Sequence, residues 1–122
     1  SAPTRQLPNV AEESFAVVNL SSVLERCRLW KDTFPDVGIY YPIKVNPDPA
    51  ILELLAGSNH GFEVASAKEI DSVMQAGGDP QRIIFSHTVK LCSHMRYARK
   101  MGVKCSIVDS VEELEKHAEH WP

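Results

Sequence analysis

The chain has 122 residues, 43% hydrophobic and 24% charged, with a formal net charge of -3: enough for one small soluble domain with its own core. It lacks the basic excess that neutralises phosphates and any apolar run near the roughly 20 residues of a membrane span, which argues against nucleic acid and membrane partners. Its three cysteines, Cys27, Cys92 and Cys105, form no C-x-x-C pair and have no histidine at zinc-finger spacing, so neither a disulfide framework nor a metal site is expected, and a reducing cytoplasm fits them.

Residues 1–13 show no clear period and no apolar core of a signal peptide, and read as an arm or linker before a single domain over 14–122. Residues 15–20 are an apolar run of strand length. Ser22, with Glu25 three residues on, then predicts a capped helix carrying Val23, Leu24, Cys27 and Trp30 and ending at Phe34-Pro35. A strand over 39–45 follows, weakened by Pro42, which lacks a ladder donor. Asp48 caps the next helix with Pro49 at its first position; Ile51, Leu52, Leu54 and Leu55 form its buried side, and Gly57 stops it. Residues 61–65 are a further strand. Ser66 and Glu69 then open a helix with Ile70, Val73 and Met74 inward, stopped by Gly77-Gly78.

Residues 82–86 make the next strand. A helix from about 88 to 101 presents Leu91, Met95 and Ala98 to the core and stops at Gly102. The last strand is 103–108, and Ser110 with Glu113 caps a final helix carrying Val111, Leu114 and Ala118. Strand and helix alternating every twenty to twenty-five residues is the pattern of parallel βα units with right-handed crossovers. Such units build an open doubly wound sheet or part of a (β/α) barrel. No G-x-G-x-x-G or Walker loop follows any strand, and the loops are short and ordinarily capped, which favours the barrel.

In a barrel, chemistry gathers at the carboxyl ends of the strands. The residues there are Lys44, Glu63, Ser86 with His87, and Asp109 with Ser110. A lysine closing an apolar strand is either used, as an amine held for Schiff-base chemistry with a carbonyl cofactor, or simply reaches solvent on its apolar stem. Lys44 and Glu63 lie one βα unit apart, so neighbouring strands could bring them together, for catalysis or as an ordinary surface ion pair. His94, Arg96 and Arg99 read as the outer side of a helix, and Glu112, Glu113, Glu115 and Lys116 as an exposed helical face. Trp30 and Trp121 read as packing or end residues.

With these elements placed, the chain resembles the N-terminal part of the ornithine decarboxylase group, within the alanine-racemase-like, pyridoxal-phosphate-dependent decarboxylases. The resemblance covers 15–122 and rests on Tyr41-Pro42-Ile43-Lys44-Val45-Asn46, Gly61-Phe62-Glu63-Val64-Ala65-Ser66 with Glu69, and Arg82-Ile83-Ile84-Phe85. It continues through Ser93-His94-Met95-Arg96-Tyr97-Ala98-Arg99 and Asp109-Ser110-Val111-Glu112-Glu113-Leu114.

The resemblance implies the N-terminal half of an eight-fold (β/α) barrel that binds pyridoxal 5'-phosphate, with Lys44 as the residue that anchors the cofactor covalently. Glu63 falls where the family has an aspartate near that lysine. His87 falls at an asparagine position, in a segment that departs from the family's Ala-Asn-Pro-Cys, and receives no role. The implied reaction is decarboxylation of a basic amino acid, ornithine to putrescine in polyamine synthesis, by a homodimer. Pro42 and Val45 look more like the motif of arginine decarboxylases, so arginine, lysine and diaminopimelate stay open as substrates. A silent homologue acting as a regulatory binding protein also stays open. The phosphate-binding glycines, the ring-nitrogen carboxylate and the C-terminal β-domain of the family fall beyond 122. The 122 residues alone are therefore expected to be inactive, to hold the cofactor weakly and to self-associate through uncovered faces.

Overall fold

A four-stranded parallel sheet in the strand order β1-β2-β3-β4 organises the computed structural model, which describes residues 14–122. The expected arm at 1–13 lies outside the described residues. The strands are β1 (Tyr40–Pro42), β2 (Gly61–Val64), β3 (Ile83–Phe85) and β4 (Cys105–Ser106), and the helices are α1 (Leu20–Thr33), α2 (Pro49–Gly57), α3 (Ala67–Gln75), α4 (Cys92–Met101) and α5 (Val111–His120). Strand order equal to chain order means that every crossover steps the same way, the arrangement of a barrel rather than of a doubly wound sheet.

The sheet has one covered and one uncovered face. Phe62 and Val64 of β2 pair in register with Ile83 and Phe85 of β3, and all four are fully buried. They pack with Ile51, Leu52 and Leu55 of α2, Ile70 and Val73 of α3 and Ala98 of α4 in one core. The alternate residues, Glu63 and Ile84, lie opposite each other on the other face and are only half-buried.

Local chemistry sets most boundaries. Asp48 accepts from the Ala50 amide with Pro49 at the first helical position, Ser66 accepts from Glu69 N–H, and Ser110 from Glu113 N–H. Helix α3 ends in Gly77 at φ +81°, with Gly78 N–H donating to Val73 O and Gly77 N–H to Met74 O. That is a Schellman closure, which needs the left-handed residue supplied here by glycine. Helix α2 closes in the same way, but the left-handed residue is Asn59 at φ 59°, with His60 N–H on Leu55 O. Gly57, expected to be the stop, is the last helical residue.

Several other expectations are corrected. Residues 15–19 form no strand; Phe15 and Val17 are strongly exposed, because no neighbouring strand is placed to take their hydrogen bonds, and Asn19 instead caps α1 through Ser21 N–H. The strand expected over 39–45 ends at Pro42, and residues 43–45 turn into a 3-10 helix. Helix α4 starts at Cys92, not near 88, and Leu91 is exposed, because the chain before it turns inward to bury Lys90. The strand expected over 103–108 is only Cys105–Ser106. On α5, Val111, Leu114 and Ala118 are exposed and Glu113 is the buried residue. Leu114 and Ala118 of α5 face an open cavity beside Ser106 and Val108, while the helix's capped end is drawn against the loop that precedes α4 by the Lys90–Glu113 ion pair.

Candidate active site

Tyr41 fixes the turn that carries Lys44. Its hydroxyl donates to the Asn46 carbonyl across five residues at 3.1 Å, and the Asn46 side chain accepts from Asp48 N–H, which leads into the α2 cap. Ile43 is buried beneath this turn, while Lys44 and Val45 project outward. The turn is therefore held from both ends and from below, with the lysine on its exposed side. Lys44 forms no ion pair among the described residues.

Glu63 lies in β2 with Pro42 of β1 and Ile84 of β3 as its register partners. It is half-buried on the uncovered face and, among the described residues, also carries no ion pair. Lys44 begins two residues past the rung shared by Pro42 and Glu63, in a turn rather than in the strand. The structure brings both to the same end of neighbouring strands without joining them in a salt bridge.

The remaining strand-end candidates divide. Ser86 extends the ladder, its N–H on Val64 O at 2.8 Å. His87 is exposed, and its Nδ1 accepts from Val89 N–H at 3.1 Å. Asp109 is exposed, and Ser110 is consumed in capping α5. No cluster of three or more His, Cys, Asp or Glu side chains among the described residues could hold a metal ion, and none of their helices is long and apolar enough to cross a membrane.

Sequence reasoning missed the strongest polar feature at this end. The Lys90 side chain is 0% exposed and Glu113 4%, with Nζ 3.1 Å from Oε1. Lys90 Nζ also donates to the carbonyls of His87 at 2.9 Å and Ile107 at 2.7 Å, and Lys90 N–H donates to Glu113 Oε1 at 3.0 Å. Lys116 holds Glu113 Oε2. Burial alone would raise the Glu113 carboxyl, but hydrogen bonds from Lys116 and from the backbone and side chain of Lys90, with the charge of Lys90, outweigh it and lower the carboxyl to about 2. Glu113 is thus not part of an exposed charged face; Glu112 and Glu115 are. The available signal was a lone lysine between apolar Val89 and Leu91, a pattern that turned out to mark burial.

The family described as pyridoxal-dependent decarboxylase, pyridoxal binding domain, matches residues 20–122. The chain belongs to this family. Ornithine decarboxylase 2 of Drosophila melanogaster is 35% identical over 111 residues, 91% of this chain and 28% of that protein. Among solved structures, the arginine decarboxylase of Paramecium bursaria Chlorella virus superposes with a TM-score of 0.81 at 35% identity, covering 84% of this chain and 27% of that one. Lysine decarboxylase of Selenomonas ruminantium gives 0.80 at 33% identity, covering 84% and 27%. The chain spans about a quarter of the length of the relatives it matches, and its four βα units are the N-terminal part of a (β/α) barrel.

The residues present fit one end of a pyridoxal group. An aldehyde needs a primary amine that no carboxylate already holds. Lys44 is such an amine among the described residues, just past β1, and Glu63 lies on the neighbouring strand β2.

Proposed function

We propose that this chain is the cofactor-anchoring portion of a pyridoxal-phosphate-dependent decarboxylase acting on ornithine, with putrescine as product and polyamine synthesis as its setting. The observation that carries this reading is Lys44: an amine with no ion-pair partner among the described residues, on a fixed turn at the carboxyl end of β1 and one βα unit before Glu63. Pyridoxal phosphate, when bound, would supply the electron sink for loss of an α-carboxylate. Lys44 would hold the group through Nζ. Glu63 accepts the proton that Lys44 Nζ must lose to act as a nucleophile. The substrate assignment draws on the ornithine decarboxylase relative. Arginine or lysine is the second reading, favoured by the solved neighbours that carry those names.

The protein at its full natural length works as a homodimer in the cytoplasm, where its three free thiols, Cys27, Cys92 and Cys105, persist. The 122 residues alone do not turn over substrate, and they self-associate, because Tyr40, Val45, Ile107 and Val108 stand exposed near the two outer strands. Reduction with borohydride in the presence of pyridoxal phosphate, followed by peptide mass spectrometry, tests the anchor. The expected result is a pyridoxyl group on Lys44 that disappears in Lys44→Ala. The same yield on other lysines in the variant would remove Lys44 from the reading.

A further inference from the structure

The pairing of β3 and β4 ends almost as soon as it begins. Its last backbone rung is Ile107 N–H on Phe85 O at 3.0 Å. Beyond it, the loops after β3 and β4 have no ladder between them, yet both lie at the end of the sheet where Lys44 and Glu63 sit. The Lys90 ammonium takes over there. It has three protons and three acceptors: His87 O in the first loop, Ile107 O in the second, and Glu113 Oε1 on α5. Glu113 is in turn held by Lys90 N–H and by Lys116. Every member of the network is satisfied, the condition under which buried polar groups specify one conformation.

The loop tied down in this way carries His87, whose Nδ1 accepts from Val89 N–H. An accepting Nδ1 places the proton of the neutral ring on Nε2. The exposed imidazole is thus oriented as an N–H donor. Its carbonyl is bonded to Lys90, and its ring is bonded to the residue just before Lys90.

We propose that Lys90 and Glu113 are positioning residues of the site: together they lock the loops after β3 and β4 and hold His87 as an Nε2–H donor for an anionic oxygen of the bound substrate or cofactor. The pair touches no reacting atom itself. Its effect on binding rests on the decarboxylase reading above, whereas its effect on the loops and on the His87 ring does not.

The test uses the protein at full natural length in three variants: Lys90→Met, Glu113→Gln, and the double variant Lys90→Met/Glu113→Leu. The double variant removes both charges, so it leaves no buried ion unpaired and recovers stability if the pair is only a stability element. It cannot restore the donor to the carbonyls of His87 and Ile107. Expected are faster amide exchange confined to 86–91 and 107–110 in Lys90→Met and in the double variant, and loss of the single Nε2–H tautomer signature of His87 in nitrogen NMR. The substrate KM should rise about 10-fold or more with a smaller change in kcat, as for a lost binding contact. Glu113→Gln, which keeps an acceptor near Lys90, should fall between these and wild type. Wild-type exchange, tautomer and KM in the double variant would overturn the proposal, and so would unaltered loops in Glu113→Gln and the double variant if Lys90→Met does not fold. Failure of the wild-type protein to capture pyridoxal phosphate on Lys44 would strike the decarboxylase reading, and exchange and tautomer would still decide the clamp.

Discussion

Pro42 lies in register with Glu63 across β1 and β2, so Lys44 starts two residues beyond their shared rung, where the strand has already turned into a 3-10 helix. Glu63, one strand over and half-buried, makes no ion pair with Lys44 among the described residues. Under the proposed reading, Glu63→Gln keeps the shape and removes the base. The expected outcome in the full-length protein is a fall of about 100-fold in kcat/KM, the lower end for loss of general base assistance. Borohydride capture on Lys44 should persist, because the anchoring amine itself is unaltered. Steady-state kinetics and the yield of capture check both halves.

Gly61 pairs with Tyr40 at the start of the same two strands. A Cβ at Gly61 would meet Tyr40 ring carbons at 2.4 Å and the Arg82 carbonyl oxygen at 2.9 Å. The ring, partly exposed, can swing away, but the backbone oxygen of the residue leading into β3 cannot move without disturbing the next strand. Gly61→Ala should therefore cost about 1 to 3 kcal/mol, as for overpacking at a closely approached backbone. Denaturant unfolding measures it; a change within 0.5 kcal/mol, the range of an ordinary surface substitution, would show that the approach is relaxed easily.

The clamp makes a separate claim about acid. The Glu113 carboxyl is lowered to about 2 by its lysines. A depressed carboxyl stabilises the fold fully above its unfolded value of 4.5, and that contribution drains away as pH falls from there toward 2. Above that window Glu113→Gln should be less stable than wild type, and the gap should close as acid protonates the wild-type carboxyl. Lys90→Met alone takes from buried Glu113 one of its two lysines, and from the carbonyls of His87 and Ile107 their donor, and should cost about 3 to 5 kcal/mol at neutral pH. Unfolding curves of the three proteins at matched pH give these differences directly.

How much of this was legible in the sequence follows from what each feature depends on. The alternation of elements, the caps at Asp48, Ser66 and Ser110, the stops at Gly77 and Gly102 and the inward Ile70, Val73, Met95 and Ala98 are written locally, in turn chemistry and helical period. What failed depended on neighbours. Residues 15–19 have strand composition but no strand to pair with. Val111, Leu114 and Ala118 have the period of a buried face but stand exposed, and Glu113 looks like its acidic neighbours until Lys90, 23 residues away in sequence, is seen beside it. Lys44 and Glu63 could be placed at strand ends from the βα period. Their lack of a mutual ion pair could not, because it turns on where β1 stops.

The outer end of the sheet holds a second pH-sensitive contact. His117 on α5 lies with Nε2 3.0 Å from Ser106 Oγ of β4, and its ring stacks on Trp121 at 5.0 Å. The Ser106 hydroxyl donates to Phe85 O, so it accepts from His117, and neutral imidazole protonated on Nε2 satisfies both. The groups acting on His117 are Lys90, Glu113 and Lys116. Its pKa is lowered by burial and by the charge of Lys90, with Lys116 in the same direction and Glu113 opposing. A histidine lowered in the folded state binds protons more readily when unfolded. Its contribution to stability is thus complete above its ordinary value of 6.5 and declines as pH falls below it. His60, lowered by burial and by Arg82, adds a slope of the same sign from the opposite end of the sheet. The expected outcome is a loss of stability between about pH 7 and pH 5 that shrinks, without vanishing, in His117→Gln, whose amide can still donate to Ser106. Trp121 fluorescence should follow the His117 part alone. An unchanged fluorescence titration in His117→Gln would place the proton elsewhere.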